Sequence, residues 1–143
     1  MQPPLDIEEF SRWRREADSA LAGARVQAEA GLHNWACFAA EQAAQLAIKA
    51  LLHGLGQGPW GHDLVRLGAR ARAAGVEVPA EVEDALRALG RHYIPARYPD
   101  AHAAGTTGEH YGPSDSRAAI EAAAAVLQWV DGCWRSLRGQ GRR

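Results

Sequence analysis

The stretch WACFAAEQAAQLAIKALLHGL, residues 35–55, constrains this chain most. Alanines at 36, 39, 40, 43, 44, 47 and 50 leave almost no wide polar face. A helix that is apolar nearly all round must sit at the centre of a fold. Small side chains also let neighbouring helices approach closely. The polar exceptions, Glu41, Gln42, Gln45 and Lys49, therefore matter more than they would on a surface helix.

The rest of the chain supplies partners for such a helix. Phe10, Trp13, Ala17, Leu21, Ala24 and Ala28 recur at helical spacing and predict a first helix over about 7–30, ended by Gly31. Asn34 is a candidate cap for the alanine-rich helix. GLGQGPWG, residues 54–61, is a loop by its Gly and Pro content. A short third helix is expected from Asp63 to about Ala74. Pro79 opens a fourth, with Val82, Leu86, Leu89 and Tyr93 as its apolar stripe, and Pro95 stops it. Ser114 or Ser116 would cap a last helix that runs to about Leu137. No convincing strand and no internal repeat is present. These elements predict an all-α, up-and-down bundle of four to five helices. It would be a single domain over residues 1–138, with 139–143, GQGRR, as a disordered tail.

Length and charge set further bounds. A chain of 143 residues fits one domain with a real core. The formal net charge is −1, so any affinity for nucleic acid must come from a local patch. Cys37 and Cys133 lie in apolar, helical surroundings and read as small core residues in a reducing compartment. The first residues, MQPPLDIEEF, have neither the basic nor the apolar region of a signal peptide. No apolar run reaches the roughly 18 residues of a membrane span. The expectation is a cytoplasmic protein with no membrane partner.

One segment breaks the helical pattern. Residues 96–113, ARYPDAHAAGTTGEHYGP, are irregular, and a loop of that length within a bundle is usually functional or disordered. Just before and within it, HYIPARYPDAH crowds two prolines, an arginine, two tyrosines and two histidines into residues 92–102. Pro95 and Pro99 stiffen the backbone. Arg97 offers a planar fork of donors matched to phosphate oxygens. His102 can exchange protons near neutrality. Together they are the groups that metal-free RNA cleavage requires: the histidine handles the 2′-OH or leaving-oxygen proton, and the arginine neutralises charge on phosphate. The structural alternative is a turn in which Asp100 accepts backbone N–H bonds and Arg97 pairs with Asp100 or Glu41.

Three pieces in order carry a family resemblance: ACFAAEQAAQLAIKALL (36–52), GHDLVRL (61–67) and RYPDAH (97–102). The chain resembles the HEPN domain in its minimal prokaryotic form, over roughly residues 10–135. The resemblance implies a four- or five-helix bundle that homodimerises. In catalytic members the Arg and the His, here Arg97 and His102, converge from both subunits on a cleft and cleave RNA without a metal or other cofactor. Many such members are toxins whose neighbour, a small nucleotidyltransferase, is the antitoxin. Other members do not cleave, and bind nucleotides or dock partners instead. Some toxin members place a tyrosine two residues after the histidine. Here that position is Ala104, and Tyr111 lies beyond it with Glu109 and His110.

Supporting candidates follow. Glu41 or Gln42 would orient the arginine or the histidine, or lie at the dimer interface. Tyr98, Asp100, His110 and Tyr111 complete the break, and His110 is the alternative acid–base residue. Arg87, Arg91 and His92 would form a local positive patch for nucleic acid, unless they are only a solvated face. His62 is expected in a fixed structural hydrogen bond and Asp63 as a helix cap. Trp60, in its loop, is placed to stack on a base or a partner. No histidine pair stands at i,i+4 on one helix and no Cys-x-x-Cys occurs, so no metal site is expected.

Overall fold

The computed structural model describes residues 4–140. Five α-helices account for most of them: α1 (Ile7–Glu29), α2 (His33–Gly54), α3 (Leu64–Ala73), α4 (Ala80–Gly90) and α5 (Pro113–Gln140). No strand occurs among the described residues. α2 touches all four other helices. Ala36, Ala40, Ala43, Ala44, Ala47 and Ala50 are fully buried on it, as its alanine content requires.

Cross-links between helix ends give the topology. Asp6 N–H donates to the Gly54 carbonyl at 2.8 Å, so the start of α1 lies beside the end of α2. Gly31, at φ +79°, makes the tight reversal between them. Phe10 stacks on Trp134 with ring centroids 4.0 Å apart, which sets α5 antiparallel to α1. Trp129 Nε1–H donates to the Glu77 carbonyl at 3.0 Å, which sets α4 antiparallel to α5. The order is up-and-down. Arg14 clamps Asp131 with Nε and Nη2 at 2.8 and 3.0 Å and also reaches Asp18, so a bidentate pair ties α1 to α5.

Several boundaries differ from expectation, each for a local reason. α2 starts at His33, and Asn34 lies inside the helix, turned away to bond the Ala96 carbonyl instead of capping. α4 ends at Gly90, and residues 91–97 continue as turns, so Tyr93 is not on its stripe. α5 begins at Pro113, a favoured first position, with Asp115 accepting the Gly112 N–H at 2.8 Å. Ser116 is buried one turn in and donates to the Pro113 carbonyl, so neither serine is the cap. α5 also runs on through Gly139 and Gln140, where a disordered tail was expected; residues 141–143 of that tail lie outside the described ones. Trp35 is exposed on α2 and Trp60 in its loop, while Trp134 is buried. Both cysteines are free thiols.

Candidate functional site

The segment between α4 and α5 is ordered by short 3-10 turns at Pro99–Ala101 and Thr107–His110, not by regular helix. α2 holds this segment at one point and the first turn of α5 at another. Buried Asn34 Nδ2 donates to the carbonyl of buried Ala96 at 3.0 Å. His33 Nδ1 lies 2.9 Å from Ser116 Oγ. Since that hydroxyl donates to Pro113, the imidazole must be the donor.

Arg97 sits next to the first of these points. Its Nε–H donates to the Tyr93 carbonyl at 2.7 Å. Its guanidinium carbon is 4.5 Å from the ring centroids of Phe38 and Tyr93 and 5.0 Å from that of Tyr98. The cation therefore lies over three aromatic rings. Neither Asp100 nor Glu41 forms an ion pair with it, and its Nη atoms have no hydrogen-bond partner among the described residues. The turn expected at Tyr98–Asp100 is present, but of the structural alternative for Arg97 neither pairing occurs; its contacts are the Tyr93 carbonyl and the three rings.

His102 is half-buried. Its Nε2 lies 2.7 Å from the Pro95 carbonyl, which can only accept, so Nε2 carries the proton and Nδ1 is left for other chemistry. Arg97 and His102 thus both bond carbonyls of one turn, those of Tyr93 and Pro95. His110 stacks on His102 with centroids 4.3 Å apart and planes 5° from parallel, and its own Nε2–H donates to Ala104 at 2.6 Å. Tyr111 stands edge-on to His102 at 6.2 Å. Asp100 is exposed on the first 3-10 turn.

Beneath Arg97 runs a buried polar chain from α2. Glu41 is fully buried and accepts from Gln42 Nε2 at 2.8 Å and Gln45 Nε2 at 2.6 Å. Gln45 Oε1 in turn accepts from His62 Nδ1 at 3.3 Å. His62 stacks on Tyr93 at 5.2 Å, on whose ring Arg97 also lies. Burial pushes the Glu41 carboxyl up from 4.5 to about 7, against the two amides and the charges of Arg97 and Lys49, which pull it down. Asp63 caps α3, accepting from Val65 and Arg66 N–H. The expected fixed hydrogen bond of His62 and cap of Asp63 are both present.

The candidate basic patch is only partly drawn together. Arg87 and Arg91 line an open cleft of about 790 Å³ with His62 and Tyr93. Arg87 is engaged by Asp84. His92 turns inward, its Nδ1 3.2 Å from the Tyr111 hydroxyl, and burial lowers its pKa. Among the described residues no three metal-ligating side chains cluster. No described helix is long and apolar enough to cross a membrane.

The aromatic cage was not foreseen. Phe38 carried no reading, and Tyr93 was expected on a helix stripe. The available signal was the Tyr93–Arg97 spacing: four residues apart around a turn, the ring and the cation face each other.

Fold and site together define a class: a helical bundle with a buried carboxyl–amide chain on its central helix and an Arg and a His on the turn before its last helix. The chain belongs to the HEPN domain family, whose profile matches residues 10–133. Solved structures agree. The crystal structure of TT1696 from Thermus thermophilus is 36% identical, with a TM-score of 0.85 over 88% of this chain and 98% of that one. That of ST0689, an archaeal HEPN homologue, is 31% identical, with a TM-score of 0.73 over 86% and 95%. A HEPN domain protein from Thermotoga maritima, tm0613, is 24% identical and shares the fold with a TM-score of 0.69 over 85% and 95%. None of the curated proteins compared matches the chain.

Proposed function

We propose that this HEPN protein is a metal-independent endoribonuclease that works as a homodimer. The observation that carries the reading is Arg97: a guanidinium set over the rings of Phe38, Tyr93 and Tyr98, its Nε–H bonded to the Tyr93 carbonyl and its Nη groups without a partner among the described residues. A caged cation with free N–H groups is suited to phosphate oxygens, and the cage fixes its direction before substrate arrives. His102, anchored through Nε2, offers Nδ1 as the proton-transfer atom.

In the reaction, the 2′-oxygen loses its proton to a neutral imidazole and attacks the adjacent phosphorus. The P–O bond to the 5′-oxygen breaks, and that oxygen takes a proton from an imidazolium. Arg97 balances the charge that gathers on the phosphoryl oxygens. A two-fold axis beside the turn would supply a second Arg–His pair, so that base and acid are separate histidines. The products are a 2′,3′-cyclic phosphate and a 5′-hydroxyl. Incubation of purified protein with mixed RNA in EDTA, followed by analysis of the new ends, tests the reading. Ends of that type support it, whereas 5′-phosphates indicate different chemistry. A toxin role with a nucleotidyltransferase antitoxin rests on the family resemblance, and co-purification of the two chains tests it.

A second reading, a non-catalytic module that binds a nucleotide or docks a nucleotidyltransferase, draws on the cleft lined by Arg87 and Arg91. Under it the protein binds and cuts nothing.

A further inference from the structure

Trp60 is 79% exposed, the highest value among the exposed large apolar side chains. It stands in the loop before α3, between Pro59 and Gly61, and Gly61 adopts φ +89° to turn the chain there. The ring is not bare. The Arg70 guanidinium carbon lies 4.9 Å from its centroid. Arg66 stands on the same helix with its side chain 88% exposed and only a long 3.7 Å contact to Asp63. Trp60, Arg66 and Arg70 line one hollow of about 450 Å³, together with His62, Asp63 and the buried Leu67.

Two of these residues connect the hollow to the rest of the site. His62 and Asp63 also line the cleft that holds Arg91 and Tyr93. His62 stacks on Tyr93, and Arg97 lies over Tyr93. His62 thus borders both hollows and stacks on Tyr93, whose ring Arg97 also meets, so the Trp60 hollow adjoins the surroundings of Arg97. α3 itself carries Arg66, Arg70 and Arg72 and no acidic residue.

We infer that Trp60 and Arg70 form a base-stacking subsite for single-stranded RNA, outside the scissile phosphate. The inference rests on the ribonuclease reading for what happens at Arg97. An indole face takes any base, and its own free face remains open while Arg70 covers the other. Arg66 and Arg70 are positioned for the phosphates on either side of the stacked base. The bases must be unpaired, because a duplex hides the faces that the indole would meet. Charge favours this occupant over an apolar protein surface: Arg66 and Arg70 outweigh the one carboxylate, Asp63, in the hollow around Trp60.

The test separates binding from cleavage. Fluorescence anisotropy follows a labelled RNA of roughly 12 nucleotides, 2′-O-methylated throughout so that it cannot be cut. Trp60→Ala is expected to weaken binding by about tenfold or more, with Trp60→Phe retaining most of it. The same strand in a duplex should show no such dependence. Trp60 is exposed, so its loss does not endanger the core. Trp60→Ala binding like the wild type would overturn the subsite, as would no binding by the wild type. So would a Trp60→Ala chain that changes only its sedimentation, which would make Trp60 a subunit contact. Cleavage of unmodified RNA is scored separately. Trp60-dependent binding without cleavage would remove the ribonuclease reading and leave the subsite. Cleavage with Trp60-independent binding would do the reverse.

Discussion

Gln45 Nε2 lies 2.6 Å from Glu41 Oε2, one turn apart on α2 in the middle of the bundle. With Gln42 on the other oxygen, both carboxyl oxygens accept from amides, the pattern of an ionised group. Burial opposes that ionisation and wins in part, raising the carboxyl to about 7. Because the folded value is above the unfolded one, this group favours the fold at low pH. Its contribution is complete below about pH 4.5, declines as pH rises and is lost above about 7. The decline is on the order of 3 kcal/mol. His92, whose pKa is lowered by burial, acts in the opposite sense, losing stability as pH falls. Urea unfolding of wild type and Glu41→Gln at several pH values isolates the Glu41 part. The slope difference between them should be confined to the window from 4.5 to 7.

The cage predicts that charge alone will not replace Arg97. Arg97→Lys keeps the cation but loses the planar fork and the stacking on Phe38, Tyr93 and Tyr98. RNA cleavage should fall by roughly 100-fold, the scale of losing one aligned donor to a developing oxyanion. Phe38→Leu, which removes one wall, should lower the rate less, and its circular dichroism should stay helical.

Asn34 tethers the loop to the core. Asn34→Leu leaves the buried Ala96 carbonyl without its donor and should cost about 1–3 kcal/mol in denaturant unfolding. Because Ala96 precedes Arg97, cleavage should drop as well. Rescue by Asn34→Gln, whose amide is a methylene further out, should be incomplete.

Gly54 tests the packing of the helix ends. A Cβ there would overlap the Trp134 ring, which is itself held in the stack with Phe10. Gly54→Ala should destabilise the bundle by about 1–3 kcal/mol, read as a lower melting temperature. Gly23→Ala, with nothing near its Cβ in mid-α1, should be neutral or stabilising.

Much of this was written in the sequence. The alanine run of α2 requires a central helix, and it is one. Gly31 marks a real break, whereas α4 ends at Gly90, five residues before the Pro95 expected to stop it, and the order of the three family pieces pointed to the bundle. What escaped were features set by contacts distant in the chain. Asn34 has the composition of a cap, yet its best partner is a carbonyl 62 residues on. Phe38 and Tyr98 meet around Arg97 only because the loop folds back on α2. His110 was an alternative to His102, but the two rings are stacked as a pair. Local patterns carry helix identity, while side-chain partners across the bundle depend on the assembled packing.

The most direct test of the central claim is cleavage of a mixed RNA in EDTA by wild type, Arg97→Ala and His102→Ala, each first shown to be helical and folded. The account predicts cleavage by the wild type and a loss of at least about 100-fold in both variants. Undiminished cleavage by His102→Ala would contradict it and move the proton-transfer role to another residue, with His110 the first to examine. A folded wild type that cuts none of the RNA would contradict the ribonuclease assignment itself.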